Sequence, residues 1–155
     1  MINKEMILNA GSFINAAEKA TLGNTSKPLH YMSYKTNVLK DKSFAFAVKA
    51  AKVSQYLNTN YKEFVLSKQL MRSATSVGAN VREANNAESK ADFIHKLAIA
   101  QKETDETMYW LELLYTIKLL QREEFESLYQ DATELLKIIR SSILTLKARY
   151  PKRNS

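Results

Sequence analysis

Apolar residues return every three or four positions along four stretches of the chain, the period of an amphipathic helix. The first stretch covers about 43–58, with Ser43 read as its N-cap, Phe44, Val48 and Ala51 on one stripe, and Asn58-Thr59-Asn60 closing it. The second covers about 62–87 and sets Leu66, Leu70, Ser73, Val77, Val81 and Ala84 on one face. Its middle is built of small residues from Ser73 to Ala79. Gly78 there costs about 1 kcal/mol relative to alanine, so close approach of a neighbouring helix is the expected reason for it. The third begins at Ser89-Lys90-Ala91-Asp92, where Asp92 is placed like the acid of a capping box, and extends to about 120. Phe93, Leu97, Thr104, Met108, Leu111 and Tyr115 form its stripe, widened by Ile94, Ile99, Tyr109 and Trp110. The fourth covers about 123–148, with Phe125, Leu128, Ala132, Leu135, Ile139 and Leu146 in near-heptad order. Acids in its first turn and Lys147 and Arg149 at its end suit the helix dipole, and Tyr150-Pro151 stops it.

Short connections between four long amphipathic helices predict an all-α, antiparallel up-down-up-down four-helix bundle over 41–148. Residues 1–40 read as a mobile N-terminal extension. Ile2, Met6, Phe13 and Ala17 form only a weak helical pattern there, and Gly23-Asn24-Thr25-Ser26-Lys27-Pro28 reads as a loop. Met32 offers a second start, which makes 1–31 a candidate for an over-extended gene. Residues 149–155 read as a basic tail. Five apolar residues, Phe46, Val53, Ile94, Ile99 and Tyr109, fall off the stripes, and a core-facing stripe covers little more than about 100° of a helix. A second buried face is therefore predicted, with self-association as its source.

Composition narrows the chemistry. With 155 residues, no Cys, 3 Gly and 2 Pro, disulfides, thiolate metal sites and Gly-loop nucleotide folds are disfavoured. No window reaches the roughly 18 uninterrupted apolar residues of a membrane span, and the N-terminus makes a poor secretory signal, so a cytoplasmic location is expected. The net charge of +7 is unevenly placed. Residues 1–40 hold five Lys against two Glu, and Arg149, Lys152 and Arg153 add three more charges at the other end. Within the bundle, 41–87 carries seven basic residues against three acidic, and 88–148 carries eight against eleven.

The run Arg72-Ser73-Ala74-Thr75-Ser76-Val77-Gly78-Ala79-Asn80-Val81-Arg82-Glu83-Ala84 is followed by Ser89-Lys90-Ala91-Asp92-Phe93 and then Lys102-Glu103-Thr104-Asp105-Glu106-Thr107-Met108-Tyr109-Trp110-Leu111. These blocks, with Phe44-Ala45-Phe46-Ala47-Val48 before them, resemble the bacterial four-helix-bundle family of 23S rRNA-intervening sequence proteins. The similarity covers about 37–148. It implies a left-handed four-helix bundle assembled as a ring, a homopentamer. It further implies kinship to the accessory variability-determinant proteins of diversity-generating retroelements, basic pentameric barrels that bind nucleic acid and a reverse transcriptase. The family implies no enzymatic activity, and its name records gene location rather than ribosome membership.

A di-iron bundle needs two Glu-x-x-His motifs, and the chain offers only Asp92-Phe93-Ile94-His95 beside Glu103-Thr104-Asp105-Glu106. No phosphate-binding loop and no nucleophile elbow occur either. No metal, cofactor or catalytic residue is expected. Arg72, Asn80, Glu83, Lys102, Glu103 and Glu106 are expected to meet across helices or subunits as a paired polar network. For nucleic acid the candidates are Lys49, Lys52, Lys62 and Lys68 as sequence-independent phosphate contacts, with Arg72 and Arg82 as bidentate ones. The aromatics read as core stripe residues rather than base-stacking groups. Two functions remain open: an oligomer that binds RNA or DNA, with or without a protein partner, and a structural or protein-interaction scaffold whose basic surface is incidental.

Overall fold

A computed structural model describes the backbone over residues 29–149 and the side chains over 38–148. The loop at 23–28, the weak helical pattern before it and the tail beyond Arg149 lie outside the described residues. Four helices span the described chain, α1 (Leu29–Tyr61), α2 (Leu66–Asn85), α3 (Lys90–Thr116) and α4 (Arg122–Arg149), and no strand occurs among the described residues.

Contacts between side chains fix the arrangement. On the α1–α4 side, Lys42 Nζ reaches Glu134 at 2.9 Å and Lys49 Nζ reaches Asp131 at 2.6 Å. On the α2–α3 side, Lys96 Nζ meets Glu83 at 2.6 Å and the Thr107 hydroxyl donates to Ser73 Oγ at 2.9 Å. In each pair rising numbers meet falling ones, so the neighbours run antiparallel. The Ser54 hydroxyl joins α1 to the Ser67 carbonyl of α2 at 3.0 Å, and Tyr129 of α4 donates to Glu112 of α3 at 2.8 Å. The up-down-up-down bundle follows.

Each helix boundary has a local cause. The Glu63 carboxylate accepts the free N–H groups of Val65, Leu66 and Ser67 at 2.7–2.9 Å, so α2 begins at Leu66 rather than near 62. Partial burial works to raise the Glu63 pKa, but these N–H groups and the Ser67 hydroxyl outweigh it and hold the carboxyl below the usual carboxylate range. Ser89 caps α3 by accepting the Asp92 N–H at 3.1 Å. Glu124 accepts the Gln121 N–H at 3.2 Å ahead of α4. Lys118 takes the left-handed region (φ 63°), and the bonds Leu119 N–H to Leu114 carbonyl and Lys118 N–H to Tyr115 carbonyl close α3 in a Schellman turn, four residues before the predicted end. Lys62 stands in the same region (φ 54°) after α1. Each lysine costs about 1–2 kcal/mol relative to glycine there.

The apolar stripe of α4 is buried as the near-heptad predicts: Leu128, Ala132, Leu135, Ile139 and Leu146 all face the core. That of α1 is not. Leu39, Ser43, Phe46, Ala50, Ser54 and Leu57 are buried, whereas Phe44 is 56% and Val48 37% exposed. The dense run from Phe44 to Val48 permits two stripes, and the true one passes through serines that hide their polarity by bonding to the backbone. Ser43 is accordingly no cap. Its hydroxyl donates to the Lys40 carbonyl at 3.0 Å inside a helix that has already run from Leu29, through residues assigned above to the extension. Phe46 therefore belongs to the main core, and Val53 and Ile94 pack against it. Ile99 is half-buried and Tyr109 is exposed. Each leucine or phenylalanine so buried contributes about 1.5–3 kcal/mol.

A Cβ built on Gly78 meets the Ser43 carbonyl oxygen at 3.5 Å, an ordinary contact. Alanine therefore fits the seam without displacing α1. Gly78→Ala is expected to stabilise the fold by about 0.5–1 kcal/mol through helix propensity. Gly78→Leu is expected to destabilise it by about 1–3 kcal/mol by wedging α1 from α2. Chemical denaturation of the two variants reads both signs.

Candidate nucleic-acid interface

The six candidate cations do not share one fate. Lys49 turns toward α4, where Asp131 and the Ser127 hydroxyl (3.3 Å) hold it, so its charge is matched inside the bundle surface. Arg72 is bound to Glu106, and its Nη1 stands 3.8 Å from Glu103. Arg82 lies over the exposed Phe44 ring, 5.3 Å from the centroid, as a cation–π contact. Lys52, Lys62 and Lys68 are exposed and make no ion pair among the described residues. These three, with Arg82, occupy the outward side of α1, α2 and the turn between them.

The polar network forms only in part. Arg72, Glu103 and Glu106 come together across α2 and α3, joined by Gln69, which accepts from Arg72 Nε at 3.2 Å, and by Trp110, whose indole N–H donates to Glu106 at 3.1 Å. Asn80 and Glu83 do not join. The antiparallel register that sets Arg72 against Glu106 sets Glu83 against Lys96, more than two turns further along. Asn80 instead donates to the Ser76 carbonyl of its own helix at 2.9 Å. Lys102 points outward and makes no ion pair among the described residues.

Within the cluster Glu103 is the uneasy member. Its Oε2 is buried and accepts no hydrogen bond from the protein. Burial first, and then the like charge of Glu106, push its carboxyl above the usual carboxylate range against the opposing pull of Arg72.

The outward α1–α2 face is apolar as well as basic. Phe44, Val48 and Met71 stand exposed on it, Met71 at 45%. Val48, Ala51, Lys52, Gln55, Asn58 and Met71 line a groove of about 460 Å³. Contiguous apolar surface of this kind marks interaction sites. The stripe read from the sequence as core is thus this outer face, which takes the place of the second buried face expected from Phe46 and Val53. The aromatics also depart from the expectation that they sit on core stripes. Phe44, Tyr61, Phe64, Tyr109 and Tyr115 are all exposed. Tyr61 and Phe64 bound a non-helical turn, where no period reports which way a side chain faces. His95 is exposed, and no group of His, Asp and Glu placed to hold a metal occurs among the described residues.

Removing Arg72 tests the cluster. Arg72→Leu is expected to cost about 1 kcal/mol at neutral pH, a modest figure because the Arg72 side chain is half exposed and its ion pairs are screened by solvent. The raised Glu103 pKa means the folded state binds its proton more readily than the unfolded chain, so stability is lost as pH rises and regained as it falls. The deficit of Arg72→Leu should therefore shrink from neutral pH toward about pH 5, and Glu103→Gln should remove that pH dependence. Denaturation midpoints at the two pH values decide it.

A family model for the 23S rRNA-intervening sequence protein matches residues 35–141. Among solved structures the chain is similar to the crystal structure of a protein of unknown function from the S23 ribosomal protein family of Bacteroides thetaiotaomicron. The two are 53% identical, with a TM-score of 0.70 over 71% of this chain and 98% of that one. No curated protein matches the chain.

Proposed function

The chain belongs to the 23S rRNA-intervening sequence protein family, and on that premise we propose that it acts without catalysis, as a ring-forming homo-oligomer that binds the backbone of RNA or DNA. The pentamer, the cytoplasmic location and the kinship to accessory variability-determinant proteins belong to the same reading. No helix among the described residues is long and apolar enough to cross a membrane.

One observation carries the proposal. Of the six candidate cations, Lys52, Lys62 and Lys68 keep unmatched charge, and all three lie on the α1–α2 side, while those facing α3 or α4 are neutralised. Unmatched lysines release counterions on meeting phosphate, and a ring multiplies each by its copy number. The groove beside Lys52 supports the oligomeric half of the reading. That same groove favours the second reading, a protein-interaction scaffold in which the cations only rim an apolar contact.

Binding of a labelled large-subunit ribosomal RNA fragment and of duplex DNA across a salt series separates the two. The proposal expects affinity to fall steeply with salt, with the log–log slope reduced by about 0.7–0.9 for each lysine lost in Lys52→Glu plus Lys68→Glu. A folded, assembled protein that binds neither probe at low salt would leave only the scaffold.

A further inference from the structure

The inter-helix turns at the two ends of the bundle differ in kind among the described residues. The register set by Lys49–Asp131 and Ser73–Thr107 brings residues 61–65 level with about 114–118, so the α1–α2 and α3–α4 turns share one end. Exposed apolar groups gather there: Tyr61, Phe64 (58%), Val65 (71%), Tyr115 and Ile117. The turn at the opposite end, Asn86-Ala87-Glu88-Ser89, has no ring and no large apolar residue.

The two turns also share a backbone device. Lys62 and Lys118 are the only non-glycine residues with positive φ among the described residues, and glycine or asparagine would normally fill such positions. An exposed tyrosine precedes each, in Tyr61-Lys62-Glu63-Phe64 and in Tyr115-Thr116-Ile117-Lys118. Rings and cations therefore alternate rather than massing into one apolar patch with a charged rim.

Four carboxylates at this end, Glu63, Glu112, Glu124 and Glu126, are engaged, whereas Glu123 is exposed and makes no hydrogen bond or ion pair among the described residues. Glu63 takes three N–H groups of α2, and Glu124 takes the Gln121 N–H. Glu126 holds Arg122 at 2.8 Å, with Glu123 adding to that cation's stabilisation, and Glu112 accepts the Tyr129 hydroxyl. Lys62, Lys68 and Lys118 make no ion pair among the described residues. The rings are available too. Tyr115 stacks one face on Phe125 (centroids 4.5 Å apart, 10° between planes), Tyr61 meets Tyr56 edge-on at 5.9 Å, and Phe64 makes no ring contact among the described residues.

We propose that this end of the bundle is a stacking platform for single-stranded nucleic acid, where Tyr61, Phe64 and Tyr115 take unstacked bases and Lys62, Lys68 and Lys118 take the phosphates between them. The inference rests on the nucleic-acid reading above and narrows its ligand from any backbone to a single strand. The physical ground is that every base has a π-face, which a single strand offers and a duplex hides, so an aromatic platform with cations discriminates by strandedness without reading sequence. The left-handed lysines fit this role, since positions where glycine is less strained carry a charge that the fold itself does not use.

The test compares the full chain's binding to labelled oligothymidylate and oligouridylate of about 15 nucleotides with its binding to a duplex of that length. Three variants accompany it: Lys62→Gly with Lys118→Gly, Phe64→Ala, and Lys52→Glu. Both single strands should bind at least about 10-fold tighter than the duplex. The double glycine variant should melt at the same or a higher temperature, yet bind single strands about 10-fold more weakly at low salt, its salt slope lower by about 1.4. Phe64→Ala should weaken binding about 5-fold or more with the slope unchanged. Equal binding of duplex, untouched by the glycine pair but weakened by Lys52→Glu, would overturn the platform and leave the broader reading standing. Binding of no probe would overturn both. A change of solution mass in Phe64→Ala without a change in binding would make this end a protein contact and also overturn the platform.

Discussion

Small hydroxyl residues along the α1–α2 seam set the geometry on which the rest of the bundle depends. Buried Ser43, Ser54 and Ser67 line this seam. Each stays buried because its hydroxyl is in reach of a carbonyl: Lys40 for Ser43, Ala50 or Ser67 for Ser54, and Glu63 for Ser67. An unbonded hydroxyl there would cost about 1–3 kcal/mol, so these bonds make a close seam possible at all. Gly78 lies against the Ser43 carbonyl in the same seam. With the backbones this near, Phe46, Ala50 and Leu57 turn inward, and the helical period then obliges Phe44 and Val48 to turn outward. The apolar outer face is a geometric consequence of the polar seam.

Charge follows the same division. Cations that face a neighbouring helix find a carboxylate: Lys42 and Lys49 on α4, Arg72 on α3, Lys96 on α2. Cations on the outward α1–α2 side do not, because the acids of the chain are concentrated in 88–148, on the far helices. Partly exposed ion pairs of this kind are worth little individually, about 0–1 kcal/mol. Their effect lies in which charges they leave unmatched, and Lys52, Lys62 and Lys68 are among these.

How legible this was from the sequence differs from helix to helix. The inner face of α4 could be read in its main positions, Leu128, Ala132, Leu135, Ile139 and Leu146, because they keep a near-heptad, while Leu136 and Ile143, also buried, fall outside it. Helix α1 misled, since Phe44-Ala45-Phe46-Ala47-Val48 fits two stripes and the buried one runs through Ser43 and Ser54, whose polarity is cancelled only by backbone bonds invisible to a hydropathy pattern. The Ser89 cap was readable, whereas the start of α2 was not, because Glu63 caps it from a turn residue three positions ahead. Of the polar network, Arg72 with Glu103 and Glu106 was foreseen. Within one chain Glu83 meets Lys96 instead, a register that spacing along one helix does not supply, while Asn80 bonds to Ser76 of its own helix and Lys102 points outward. The exposed rings of the α1–α2 turn lay beyond reach for a related reason, since periodicity says nothing about Phe64 and Val65 once the helix has ended.

The central claim is that the seam turns an apolar face outward and that other copies of the chain cover it. Sedimentation of the full chain over a range of concentrations, beside a Val48→Lys, Met71→Lys variant, tests it most directly. The account predicts a discrete oligomer for the natural sequence and a folded, helical monomer for the variant, because both substitutions fall on exposed positions and leave the core intact. A natural chain that stays monomeric at every concentration, or a variant that assembles as well as the natural chain, would contradict it.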